Sequence, residues 1–148
     1  MLAETINVLL VDDHPLAIAG VRTVLQAFGI HVRAEAGNAA DAMNALATGH
    51  IDVAILDIGL PSMNGLELAR QLRAIDGTRT IRLIALTGYG QRTDVTASAA
   101  AGFDLHLVKP VTTDVLFAAP GELHRRARSR VAPLPRRRAR EAPPRPPR

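Results

Sequence analysis

The sequence predicts an α/β domain: a single doubly wound, five-stranded parallel sheet in the order 2-1-3-4-5, with helices on both faces. Three observations predict it. Short apolar runs alternate with stretches of helical period, and no hairpin signal separates one run from the next. The second and fifth runs carry polar residues among the apolar ones, which places those two strands at the sheet edges. Right-handed crossovers between parallel strands then put a ligand site at the carboxyl ends of the central strands.

The elements follow in chain order. Ile6 to Val11 reads as strand 1, and Ala17, Val21, Val24, Leu25 and Phe28, at steps of three and four, as the apolar face of helix 1. His31 to Ala36 (HVRAEA) is strand 2, and Ala39, Ala42, Met43 and Leu46 mark helix 2. Val53 to Leu56 is strand 3, followed by helix 3 with Leu68, Leu72 and Ile75, stopping at Asp76-Gly77. Ile81 to Leu86 (IRLIAL) is strand 4, the Ala-rich stretch 91–101 is helix 4, ended by Gly102, and Leu105 to Val108 (LHLV) is strand 5. A fifth helix begins near Thr112-Thr113-Asp114, whose side chains can cap it. Pro120-Gly121 interrupts that helix, because interior proline removes a hydrogen bond and clashes with the preceding turn, so a stop or kink is expected near Ala118.

A chain of 148 residues has room for one such domain and not for a second catalytic one. Aromatics are 3% and Trp is absent, so the core must be aliphatic. The absence of cysteine excludes disulfides, zinc–thiolate sites, iron–sulfur clusters and thiol nucleophiles together. The first apolar stretch has no basic leader and ends at Asp12-Asp13, too early for a signal peptide or membrane span, so a cytoplasmic protein is expected.

Charge is divided along the chain. Residues 1–118 hold 8 Lys/Arg against 12 Asp/Glu, whereas residues 119–148 hold 10 against 2 and also 7 of the 10 prolines. The run from Pro133 to Arg148 has no apolar period and too little apolar surface to offset chain entropy. The domain is therefore placed at residues 1–130, and residues 131–148 are expected to be a disordered Arg/Pro-rich tail.

Four features fall at the predicted carboxyl edge: Asp12-Asp13 after strand 1, Asp57 after strand 3, Thr87 after strand 4, and Lys109-Pro110 after strand 5. Three carboxylates at one edge repel one another, and Lys109 offsets only one of them. The residual charge matches one divalent cation, and an all-oxygen donor set favours magnesium, which keeps waters and leaves room for a phosphate.

The segments LLVDDHP, ILDIGLPSMNG, ALTG and LVKP, in this order and spacing, resemble the receiver domain of bacterial two-component response regulators over roughly residues 5–125, a flavodoxin-like fold. The resemblance implies that Asp57 is the phosphoacceptor, taking a phosphoryl group from a phosphohistidine on a sensor kinase or histidine phosphotransfer protein. It implies magnesium bound by Asp13, Asp57 and the Gly59 backbone carbonyl, with Asp12 acting largely through metal-bound water. Lys109 and the Thr87 hydroxyl would serve the phosphoryl oxygens, and Gly88 would leave the entrance open. Lys109-Pro110 would be a cis peptide, and Pro61 and Gly65 would shape the loop that starts helix 3. Such a domain assists its own phosphorylation and dephosphorylation without being a turnover enzyme, and it switches a surface for an unidentified downstream protein.

Departures from the family pattern qualify these expectations. The switch aromatic of strand 5 is His106, as in receivers attached to hybrid sensor kinases; a rotamer switch coupled to Thr87 is expected, with an inert edge imidazole as the alternative. Gly59 and Tyr89 occupy positions that in this family modulate loss of the phosphoryl group. His14, His31, His50 and His124 show no ligand spacing and read as ordinary surface or loop residues. The interrupted helix 5 puts dimerisation through helix 4, strand 5 and helix 5 in doubt. A nucleic-acid module using the basic tail is the main rival; the tail lacks aromatics for stacking and a helix-turn-helix pattern, which leaves nonspecific association. A metal-dependent phosphatase with an aspartyl nucleophile ranks lower, because Gly59 stands where such enzymes place a second acid. A truncated or frameshifted regulator is a further alternative.

Overall fold

In the computed structural model, which describes residues 5–61, 63–88, 95–108 and Pro120, five strands form one parallel sheet. They are β1 (Asn7–Val11), β2 (His31–Ala36), β3 (Val53–Asp57), β4 (Arg82–Thr87) and β5 (Leu105–Val108), in the order β2-β1-β3-β4-β5. Four helices alternate with them: α1 (Pro15–Ala27), α2 (Ala39–Thr48), α3 (Gly65–Ala74) and α4 (Val95–Ala101). The edge assignment follows burial. Every residue of β3 is buried, whereas β2 alternates between exposed and half-buried positions up to Ala36 and no residue of β5 is fully buried.

The apolar runs are continuous in the central strands because both faces of the sheet are covered. Successive side chains point to opposite faces, so Leu9, Val11, Ala54, Leu56, Leu83 and Ala85 pack into one layer with α2, α3 and α4. Val8, Leu10, Val53, Ile55, Ile84 and Leu86 pack into the other, which α1 covers through Leu25. Each fully buried Leu, Ile or Val contributes about 1.5–3 kcal/mol, and these layers hold the strand ends in fixed register. Val11 lies opposite Leu56, and Asp57 opposite Leu86.

Helix starts are set by side chains. Asn38 accepts the Asp41 amide at 2.8 Å and Asn64 accepts the Glu67 amide at 2.9 Å, capping α2 and α3. Pro15 opens α1, where its missing N–H costs nothing.

Some predicted face residues stand elsewhere. Phe28 is 47% exposed and Ile75 42% exposed, because each lies just past the end of its helix, where the chain has left the helical path. Ile18 packs with Val21 and Val24 on the α1 layer, a contact absent from the predicted stripe. α3 ends at Ala74, before the predicted stop at Asp76-Gly77, with Ile75 already extended. The described part of helix 4 runs from Val95 to Ala101, and Gly102, with a φ of 107°, closes it. Pro120 is helical and buried, while the fifth helix otherwise, the tail and its expected disorder lie outside the described residues. Among the described residues no helix is long and apolar enough to cross a membrane.

Candidate functional site

Strand register brings the acidic residues together. Asp12 directly follows β1, and its amide continues the ladder by donating to the Ala36 carbonyl at 3.0 Å. Asp57 closes β3, and the Ile58 amide donates to the Leu86 carbonyl at 3.1 Å. Since Val11 pairs with Leu56, the next step along both strands sets Asp12 beside Asp57. Ligand atoms of Asp12, Asp13, His14 and Asp57 all lie within 4.8 Å of one another.

The carboxylates differ in access. Asp12 and Asp57 are 7% and 6% exposed, whereas Asp13 is exposed at the mouth. Asp57 Oδ1 accepts the Gly59 amide at 3.0 Å, which fixes the carboxylate against the loop that follows it. Asp12 Oδ1 accepts the His14 amide at 2.9 Å, which turns the chain from β1 into α1. Two buried carboxylates and a third at their edge form an oxygen-rich, negatively charged cradle that suits a hard divalent cation.

The loop after Asp57 is held by close backbone approach. The Gly65 amide donates to the Ile58 carbonyl at 2.8 Å, and a Cβ at Gly65 would come within 2.8 Å of the Asp57 carbonyl oxygen. Glycine is required there because the first turn of α3 packs directly on the backbone of the β3 end. The loop-shaping role read from the sequence is thus a steric one, at the backbone of Asp57 itself.

Thr87 ends β4 and is 1% exposed. Its Oγ1 lies 3.1 Å from His106 Nε2 and 3.5 Å from the Leu107 carbonyl. His106 Nδ1 is buried and has no hydrogen bond among the described residues. The strand-5 imidazole therefore contacts the threonine that the sequence paired with it. Gly88 is half-buried beside Thr87. Lys109, Pro110 and Tyr89 lie outside the described residues.

His14 is an exposed residue of the loop between β1 and α1, as read from the sequence, and its Nδ1 lies 2.9 Å from Asp13 Oδ1 and 3.2 Å from Asp12 Oδ1. His50 is likewise engaged, with Nε2 2.9 Å from Asp52 Oδ1.

Comparison with known proteins decides the family. Residues 8–120 match the response regulator receiver domain. The chain belongs to that family. It is 40% identical over 118 residues to the nitrate/nitrite response regulator protein NarP of Escherichia coli K12, covering 79% of this chain and 54% of NarP. It is 32% identical over 123 residues to the sensor protein EvgS of the same organism, covering 83% of this chain and 10% of EvgS. This chain therefore spans about half of the first relative and a tenth of the second.

Among solved structures, a CheY-like receiver domain protein from Methanospirillum hungatei JF-1 superposes with a TM-score of 0.77 at 24% identity, covering 86% of this chain and 99% of that one. The receiver domain of a signal transduction histidine kinase from Syntrophus aciditrophicus superposes at 0.69 with 28% identity, covering 88% and 95%. The sheet order read from the sequence is the one observed, in a fold that superposes on these receivers. A receiver domain is the phosphoacceptor of two-component signalling, and the nucleic-acid reading is not favoured.

Proposed function

We propose that Asp57 accepts the phosphoryl group in this receiver, within a site formed by Asp12, Asp13, Asp57 and the Gly59 carbonyl around magnesium. The observation that carries the reading is the convergence of the three carboxylates at one sheet edge, with Asp57 buried and held by the Gly59 amide. The donor set fits the ion, because its carboxylate oxygens are hard and its net charge is negative. When bound, magnesium neutralises the carboxylates and attracts the phosphoryl oxygens.

The residues of the chain supply placement. An Asp57 oxygen attacks phosphorus in line with the bond to the donor imidazole nitrogen; the P–N bond breaks and the imidazole leaves with its electron pair. The Thr87 hydroxyl and the Lys109 ammonium donate to the phosphoryl oxygens, where charge must be held. Turning Thr87 toward the phosphoryl group releases His106, which moves inward and changes the α4–β5 surface presented to a downstream protein. This biases two packings that both exist beforehand. Gly59 and Tyr89 govern water access, so the domain assists its own dephosphorylation without turning over a separate substrate.

The phosphodonor is a sensor kinase or histidine phosphotransfer protein in the cytoplasm, consistent with relatives that include both response regulators and sensor proteins. The domain boundary is placed at residue 130. The test is intact mass after incubation with magnesium and acetyl phosphate. Wild type should gain one phosphoryl group, and Asp57→Asn or excess chelator should abolish the gain; undiminished labelling in either condition refutes the assignment.

A further inference from the structure

We infer that Ser98 is the partner that receives His106 when Thr87 turns away: its hydroxyl donates to His106 Nδ1 and so ties the movement of the β5 imidazole to α4. The inference deepens the switch reading above and rests on it. Two observations carry it. Ser98 is fully buried, yet its Oγ has no hydrogen-bond partner among the described residues. His106 Nδ1 is buried and unpartnered in the same way, while Nε2, across the ring, faces Thr87 Oγ1 at 3.1 Å. Buried polar atoms are nearly always paired, and each one left without a partner disfavours the packing that leaves it so.

Both atoms belong to one layer of the fold. His106 lies opposite Ala85 in the β4–β5 register, and Ala85 packs in the core layer that includes Ala101 of α4. The imidazole therefore stands on the side of the sheet that α4 covers. The described part of α4 buries only Ser98 and Ala101, so the Ser98 hydroxyl is the one polar side-chain group it turns inward. The Phe103 amide donates to the Ser98 carbonyl at 3.2 Å, which folds the turn into β5 back onto the helix. Ser98 stands three residues, about 4.5 Å, before the end of α4, and His106 one residue, about 3.3 Å, past the start of β5. The turn thus sets the two at comparable depth.

Their chemistry is complementary. The tautomer with its proton on Nε2 donates to Thr87 Oγ1 and leaves Nδ1 a bare acceptor, and a serine hydroxyl is a donor. When Thr87 turns to the phosphoryl oxygens, the ring exchanges its bond to the threonine for one from Ser98. Both unpartnered atoms are then satisfied, and α4 follows the ring.

The experiment uses the full 148-residue chain, labelled with 15N, with magnesium and beryllium fluoride as the phosphoryl mimic. The His106 ring nitrogens are followed by NMR, mimic affinity by calorimetry and stability by urea denaturation. In wild type the mimic should shift Nδ1 as it gains a donor. In Ser98→Ala that shift should vanish and mimic affinity should fall about three- to tenfold, the scale of one net hydrogen bond. Without the mimic, Ser98→Ala should be at least as stable as wild type, because the hydroxyl it removes has no partner. In a His106→Phe background, Ser98→Ala should no longer change the affinity. The inference is overturned, and the switch stands, if Ser98→Ala destabilises the mimic-free protein, if it weakens the mimic equally in the His106→Phe background, or if it leaves the Nδ1 shift and the affinity unchanged while Thr87→Ala abolishes the ring's response. If wild-type His106 does not respond to bound mimic, the switch reading fails and the inference with it.

Discussion

The Thr87 hydroxyl and the His106 ring meet diagonally across the β4–β5 ladder, with Oγ1 3.1 Å from Nε2. Register explains the contact: His106 lies opposite Ala85 and Thr87 opposite Val108, so the two side chains are diagonal neighbours on one face of the sheet. The hydroxyl faces both the Nε2 of His106 and the Leu107 carbonyl, and its single proton can serve only one of them at a time.

Thr87→Ala should therefore act twice. Removing the hydroxyl leaves Nε2 of a half-buried imidazole without this partner, which costs about 1–3 kcal/mol in a urea melt of the unphosphorylated protein. It should also uncouple the ring: His106 resonances that move in wild type on addition of a phosphoryl mimic should stay fixed in the variant. A variant ring that responds as in wild type would mean that His106 follows the site by another route.

Gly65→Ala tests the loop after the nucleophile. The added Cβ would lie 2.8 Å from both the Asp57 carbonyl oxygen and Ile58 Cα, so the backbone must shift. Overpacking of this kind costs about 1–3 kcal/mol, and here the displaced atoms carry Asp57. Labelling by acetyl phosphate should slow by more than about tenfold, as expected when a reacting group is misplaced by about 1 Å. Gly77→Ala is the control, since its Cβ would meet nothing within 4 Å; it should label at the wild-type rate.

The sheet was legible because its determinants are local. Five apolar runs bounded by helical periods gave strands whose observed limits differ by one residue at most, and the polar residues of HVRAEA and LHLV marked the edges. The acid pair and Asp57 were legible for the same reason, since each lies at a strand end. Phe28 and Ile75 were misplaced because a stripe of apolar residues does not reveal where its helix stops. Arg73 was not legible at all. Its guanidinium donates to the Gly102 carbonyl at 2.7 and 2.9 Å, to the Arg79 and Ile81 carbonyls, and to Asp104, partners set by tertiary packing and not by sequence spacing.

That network makes the third prediction. Burial lowers the Arg73 pKa from its ordinary value, with Asp104 opposing and Arg82 reinforcing the shift. Arg73→Ala leaves the Gly102 and Ile81 carbonyls unpaired, although Asp104 keeps Arg82 and the Leu83 amide. Hydrogen bonds to charged groups contribute about 1.5–3 kcal/mol, so a loss of about 2–3 kcal/mol is expected by urea denaturation. The network lies at the amino-terminal end of β4 and β5, away from Asp57, so the folded variant should label normally. A labelling defect without a stability loss would sink the assignment.

Removal of residues 131–148 should leave the melting temperature and the Asp57 labelling rate nearly unchanged. The segment contains six arginines and one glutamate, with no aromatic residue, so it cannot stack on bases, and its arginines can only release counterions from phosphates. Association of the full-length chain with DNA should be blind to sequence, fall steeply between about 50 and 200 mM salt, and vanish on truncation. Attraction between the basic tail and the acidic body is screened in the same range and contributes little to folding. If truncation abolished phosphorylation, or if the intact chain selected one DNA sequence at physiological salt, the boundary at residue 130 would be misplaced and the tail would belong to the functional unit.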